Sequence, residues 1–156
     1  MAISGLVITY NEEKNIGKCI DALFEVCDEV IIVDSLSADN TVKIAEEKGA
    51  KVISQKFLGD GPQRTHGLPF CKNDWILNLD ADEFLDKDAK EFILKGKYLE
   101  GNYDAFSFRV KNFLADELID FSGWYPDHKV RFFNKKTAKP SEAKVHQKIE
   151  TTNEKK

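Results

Sequence analysis

At 156 residues, with 42% hydrophobic and 32% charged positions, the chain has the size of one domain, and eleven Phe and two Trp supply bulk for a single core. That balance excludes a disordered chain, and no apolar run approaches the ~20 residues needed to span a bilayer. The formal charge of −4 hides a basic end, residues 129–156, with nine Lys/Arg against three Glu; the acidic remainder, lacking a basic and aromatic strand pattern, excludes nucleic acid as a partner.

The N-terminal MAISGLVITYNEE lacks a basic region and a long apolar core, so no cleaved signal and a cytoplasmic location are expected. Residues 3–9 are a compact apolar run of the kind buried on both faces of a parallel sheet. From Glu12 onward Ile16, Cys19, Ile20, Leu23, Phe24 and Cys27 recur at helical spacing and predict an amphipathic helix to about residue 27. Residues 29–33 form a second buried strand ending at Asp34. Asp39 or Ser37 then caps a helix through Lys48, which Gly49 stops. Residues 51–54 make a third strand. The Gly- and Pro-punctuated stretch 57–71 has room for one or two helical turns after Pro62. Residues 75–79 are a fourth strand running directly into Asp80-Ala81-Asp82-Glu83. A helix over 87–98 is expected to turn Phe92, Ile93 and Leu94 inward, and weaker strands follow at 103–110, 130–133 and 145–149. Alternating βαβα followed by β-rich sequence predicts an open α/β sheet in a single domain over residues 1–150, with a tail at 151–156. Three cysteines, Cys19, Cys27 and Cys71, without CxxC spacing, point to reduced thiols.

In open α/β sheets ligands sit beyond the carboxyl ends of the strands. That rule gathers Thr9-Tyr10-Asn11-Glu12, Asp34-Ser35 and Asp80/Asp82 at one edge. No GxGxxG or GxxxxGK[ST] occurs, so a nucleotide held there needs a metal rather than a glycine-rich phosphate loop. Asp80 and Asp82, one residue apart, suit one hard cation; the plainer alternative is a turn in which Asp82 or Asp86 caps the next helix. Thr9, Asn11 and Glu12 offer contacts to a base or ribose, or Asn11 caps the first helix. Asp34 suits a base edge or a turn, and Gln63-Arg64 suits a base, a phosphate or a surface ion pair. In Gly123-Trp124-Tyr125-Pro126-Asp127-His128 the aromatic pair could wall a sugar and Asp127 could serve as general base, or the segment is a turn with aromatics in the core. His146 is a cation ligand or a structural histidine.

In order, ITYNEEKNI, VDSLSADNT and LDADE resemble a family 2 glycosyltransferase of the GT-A fold. GWYPDHKVRFF and VHQKI are similar to the lipopolysaccharide core glucosyltransferase branch of that family. The resemblance implies a Rossmann-like open, mixed and mostly parallel sheet flanked by helices. It places the nucleoside of a sugar donor on Thr9, Asn11 or Glu12 and Asp34, and the base or diphosphate on Arg64. Asp80 would face ribose and metal, Asp82 would ligate Mg²⁺ or Mn²⁺ with His146, Asp127 would be the catalytic base, and Trp124 and Tyr125 the acceptor or sugar wall. The implied reaction is inverting transfer of a hexose, glucose, from a UDP-sugar to a bacterial envelope glycan or lipopolysaccharide core acceptor, with peripheral contact at the inner face of the membrane. Such relatives continue past the end of this chain, so the C-terminal extension is expected to be lacking. Two other readings are a non-catalytic nucleotide- or sugar-binding module and a sugar nucleotidyltransferase; the latter lacks its Gly-rich, basic phosphate loop.

Overall fold

The uncharged run Ile3–Thr9 forms β1, in which every residue except Ile8 is buried, as befits a strand with neighbours on both sides. The structure, a computed structural model, describes residues 2–114, 117–118, 128–140, 149–150 and 154–155, with side chains at 2–108 and 130–138. β1 pairs in parallel with β2 (Glu29–Asp34) and, on its other side, with β4 (Trp75–Asp80), while β3 (Lys51–Ser54) extends the sheet beyond β2. Beyond β4 the strands reverse. β8 (His128–Asn134) runs antiparallel to β4, and β6 (Ala105–Leu114) antiparallel to β8. β5 (Glu83–Leu85) and β7 (Glu117–Leu118) pair with β6 off the main path. The two-residue β11 (Glu154–Lys155) lies parallel to β6, and β9 (Lys139–Pro140) pairs with β10 (Ile149–Glu150) in a separate ladder. The order β11-β6-β8-β4-β1-β2-β3 is the open, mixed, mostly parallel sheet expected from the sequence. The weak strand foreseen at 145–149 lies almost wholly outside the described residues.

Among the described residues the helices are α1 (Ile16–Phe24), α2 (Thr41–Glu47), α3 (Asp60–Gly67) and α4 (Lys87–Leu94); α1, α2 and α4 are shorter than expected, whereas α3 makes two turns and starts before Pro62. α1 starts at Ile16 because residues 11–13 are drawn into cross-loop hydrogen bonds. α4 is capped by Asp86, whose Oδ1 accepts the Ala89 amide at 2.8 Å. It ends before Gly96, which takes a left-handed φ of 69° and opens a 3₁₀ turn, Lys97–Leu99. Ile93 is buried as expected, but Leu94 is 51% exposed. At 3.6 residues per turn, three consecutive side chains cannot all face one core.

Alternation in the strands divides the core. Val7, Leu77, Leu79 and Phe132 pack with Ile20, Leu23 and Ile93 on the α1 and α4 face. Leu6, Ile76 and Phe133 pack with Ile31 and Val33 on the opposite face, together with Leu68 and Phe70 just after α3. Trp75, Tyr98 and Phe132 interlock on the first face, with ring centroids 4.9–5.0 Å apart in stacked and edge-on pairs.

α3 lies so close to β1 and β2 that a Cβ on Gly67 would come within 2.6 Å of Leu6 Cδ1 and of Val33 Cγ2. Both are core side chains that cannot swing away. Gly67→Ala is therefore expected to cost about 1–3 kcal/mol of stability, read as a lower midpoint in urea unfolding. All three cysteines are unpaired and buried. Burial pushes the Cys71 thiol up to about 12, with Glu29 adding; burial raises Cys19 and Cys27 further, with nearby acidic side chains adding. Native protein is expected to leave a thiol reagent unreacted under conditions where the unfolded chain consumes three equivalents.

Candidate active site

The parallel register sets Thr9 beside Asp34 and Ile8 beside Asp80, so β1, β2 and β4 end at one level. A cavity of about 570 Å³ opens there, at the strand ends where such sheets bind ligands. Thr9 at the end of β1 lines it with Tyr10 and Glu12 just beyond, Ser35 just after β2, Phe57 before α3 and Asp60 at its start, and Asp80 at the end of β4 with Ala81 and Asp82 following.

Two loops are stitched together beside it. The Asn11 amide donates to Ser37 Oγ at 2.8 Å and Asn11 Oδ1 accepts from the Ala38 amide at 2.8 Å. The Glu12 amide donates to Thr41 Oγ1 at 2.9 Å, and the Ser35 amide to the Thr9 carbonyl at 2.9 Å. Asn11 and Leu36 hold positive φ values of 51° and 63° here, conformations costly for a leucine. Asn11 thus ties the loops rather than capping α1. Asp34 is buried; its Oδ2 accepts the Ser37 amide at 2.9 Å and its Oδ1 the Ser37 hydroxyl at 2.5 Å. Gln63, also buried, accepts from the Leu58 amide at 2.9 Å and donates to the Gln55 carbonyl at 2.9 Å and to Ser35 Oγ at 3.2 Å.

Behind the β4 wall lies a buried charge network. Residues 76, 78 and 80 alternate onto the α3 face, where Arg64 donates from Nη1 to Asn78 Oδ1 and from Nη2 to Asp80 Oδ1. Burial lowers the Arg64 pKa and the neighbouring Arg131 charge adds to that, while Asp80 opposes both. Arg131 Nη2 donates to Glu83 Oε2 at 3.0 Å, and Glu83 Oε1 accepts the Asp80 amide at 2.8 Å. Two guanidiniums balance two carboxylates, the condition under which charges tolerate burial.

Of the residues singled out in the sequence, Thr9, Glu12, Asp80 and Asp82 reach the cavity wall. Asn11, Asp34 and Arg64 stand behind it: the first two hold loops, and Arg64 commits both terminal nitrogens to Asn78 and Asp80. Trp124, Tyr125, Asp127 and His146 lie outside the described residues. Phe57 and Asp60 carried no sequence signal; Glu83 stood in view within LDADE and Arg131 within GWYPDHKVRFF, neither with a role assigned to it. Among the described residues no three His, Cys, Asp or Glu side chains converge as a metal cage. The donor set nevertheless fits a hard cation, because Mg²⁺-type sites use one or two carboxylates and take remaining ligands from phosphate and water. Thr9 Oγ1, although buried at the cavity, has no hydrogen-bond partner among the described residues, as a group awaiting a ligand would.

The sequence profile of Glycosyl transferase family 2 matches residues 4–146. An uncharacterized glycosyltransferase of Rickettsia typhi is 38% identical over 133 residues, covering 84% of this chain and 42% of the relative. The lipopolysaccharide core biosynthesis glycosyltransferase LpsC of Rhizobium meliloti is 36% identical over 98 residues, 60% of this chain and 36% of the relative. Among solved structures, S. aureus TarS in complex with UDP-GlcNAc superposes with a TM-score of 0.60 at 25% identity, covering 80% of this chain and 38% of that one. Glucosyl-3-phosphoglycerate synthase from Mycobacterium tuberculosis, in complex with Mn²⁺, UDP and glucosyl-3-phosphoglycerate, superposes at 0.55 and 27% identity, covering 67% of this chain and 42% of that one. The chain thus spans about a third to two fifths of the length of the curated relatives it matches.

Proposed function

The chain belongs to Glycosyl transferase family 2, and on that premise we propose that its cavity holds the nucleotide-sugar donor of a metal-dependent, inverting hexosyl transfer. The acidic wall carries this reading. Four carboxylates, Glu12, Asp60, Asp80 and Asp82, line the cavity, and no lysine or arginine is among its lining residues, Arg64 and Arg131 meeting Asp80 from behind the wall. A diphosphate enters such a site only with its charge balanced by a cation.

Asp82, with Asp80 and His146, would hold Mg²⁺ or Mn²⁺, which when bound supplies positive charge against the departing nucleoside diphosphate. Thr9 offers its unpaired hydroxyl to the nucleoside, and Glu12 and Ser35 complete that side. Asn11 and Asp34 keep the two loops in place, and Arg64 keeps Asp80 aimed. Asp127 would take the proton from the acceptor hydroxyl. The acceptor oxygen then attacks the anomeric carbon from the face opposite the diphosphate, whose bond to that carbon breaks, inverting its configuration. Trp124 and Tyr125 would wall the sugar or acceptor.

A UDP-linked donor is favoured by the UDP and UDP-GlcNAc complexes of the structural neighbours, and glucose with a lipopolysaccharide core or envelope glycan acceptor by LpsC and the motif pattern. No helix among the described residues is long and apolar enough to cross a membrane. Membrane contact in this reading is peripheral, through the basic residues of 129–156. Calorimetry with UDP, GDP and CDP, each with and without Mn²⁺, tests the donor site. UDP binding that requires Mn²⁺ is the expected result, and folded protein that binds none of the three overturns it. Metal-dependent UDP binding without turnover of any UDP-sugar would leave a donor-binding module.

A further inference from the structure

The pair Glu83–Arg131 touches the donor site from behind and takes no place on its wall. Glu83 is 1% exposed and Arg131 4% exposed. One carboxylate oxygen of Glu83 receives the Asp80 amide at 2.8 Å and the other receives Arg131 Nη2 at 3.0 Å. The same Arg131 nitrogen lies 3.6 Å from Asp80 Oδ2. Residues 80–83 are thereby closed into a turn, with Ala81 and Asp82 carried between two fixed ends. A turn needs no buried ion pair to form, and burying two charges costs desolvation that apolar side chains of the same volume would avoid. What the pair adds is direction. It orients both the amide and the carboxylate of Asp80, and it ties the turn to β8, the strand that begins one residue after Asp127. Arg131 Nε, buried and without a partner among the described residues, shows that the guanidinium is placed for these two carboxylates and not for its own full satisfaction.

We infer that Glu83 and Arg131 are positioning residues for the cation-binding turn: they set the aim of Asp80 and Asp82, and through it the affinity for the divalent cation, without touching donor or acceptor. This rests on the donor-site reading above.

The test is the Mn²⁺ concentration giving half-maximal UDP binding, measured by calorimetry on the whole chain. Glu83→Gln keeps the side-chain shape and an oxygen able to accept the Asp80 amide but removes the charge facing Arg131. It is expected to raise the Mn²⁺ requirement about tenfold, the size seen when groups orienting metal ligands are removed, with UDP affinity at saturating Mn²⁺ near wild type. Hydrogen exchange at the Asp80 amide should quicken while the amides of β1 stay protected. Arg131→Lys provides a second probe and the same rise, because a flexible stem carrying an ammonium lacks the rigid planar group that fixes Nη2 between Glu83 and Asp80. Glu83→Gln combined with Arg131→Lys should be no worse than the weaker-binding single variant, since the two act as one unit. A merely structural pair would lower the melting temperature and leave the Mn²⁺ requirement where it was; that result in either folded variant overturns the inference alone. Wild-type protein without Mn²⁺-dependent UDP binding overturns the donor-site reading and this inference with it.

Discussion

Asp82→Ala is expected to abolish Mn²⁺-dependent UDP binding, lowering apparent affinity by about a hundredfold or more, with little change in thermal stability. Losing a group that merely orients a metal ligand costs about ten- to a hundredfold in metal affinity, and losing one of the one or two carboxylates that ligate the cation itself costs at least as much. Asp82 lies on the cavity wall in a turn outside both core clusters, so its loss opens no hole among packed side chains. Asp82→Asn, which keeps the size and loses the charge, should behave nearly as badly in binding. Calorimetry with and without Mn²⁺, beside a thermal melt, separates the two effects. Retained binding with unchanged metal dependence would remove Asp82 from the cation site.

Arg64→Met should be the most damaging substitution to the fold among the site residues, and it should also weaken donor binding. Arg64 is 2% exposed, and its two terminal nitrogens serve Asn78, itself 0% exposed, and Asp80. Without them the Asn78 carbonyl oxygen is stranded in the core, at about 1–3 kcal/mol for an unsatisfied buried group. Asp80 loses one of its two guanidinium neighbours. Breaking a fully buried pair costs about 3–5 kcal/mol, but the Asp80 side chain is 37% exposed, and solvent screening reduces its share. A total near 3 kcal/mol follows, readable as a fall in the urea midpoint with unchanged slope. Methionine retains the apolar stem, so the measured loss reports the guanidinium and not a cavity. A loss below about 1 kcal/mol would mean that water reaches Asn78 and replaces the lost bonds.

The contrast between Asp82 and Arg64 shows where sequence reasoning worked. LDADE after an apolar strand announces a carboxylate pair at a strand end, because strand identity and strand end are local matters of apolar run length and the first charged residue. Arg64 was visible as an arginine in a polar segment, with a surface ion pair as its plainer reading. It is instead buried, because α3 packs its Gly67 against Leu6 and Val33 and so brings Arg64 down onto the β4 face. Asn11 and Asp34 likewise sit in the right loops, yet their side chains serve Ala38 and Ser37. Helix lengths were overestimated for a related reason. Periodicity at 12–15 and 95–98 is compatible with helix, but loop hydrogen bonds and the left-handed Gly96 take those residues away.

By itself, then, the sequence determined the alternation of strands and helices, the open mixed sheet, the family and the edge at which polar residues gather. Each of these follows from apolar periodicity and short motifs, which act over a few neighbouring residues. Only the tertiary structure decided which of those polar residues face the cavity and which stand behind it. It alone joined Glu83 to Arg131, 48 positions apart, and brought Phe57 and Asp60 to the wall. A polar side chain in a loop points toward whichever partner offers it a hydrogen bond or a counter-charge, and those partners come from strands and helices distant in the chain.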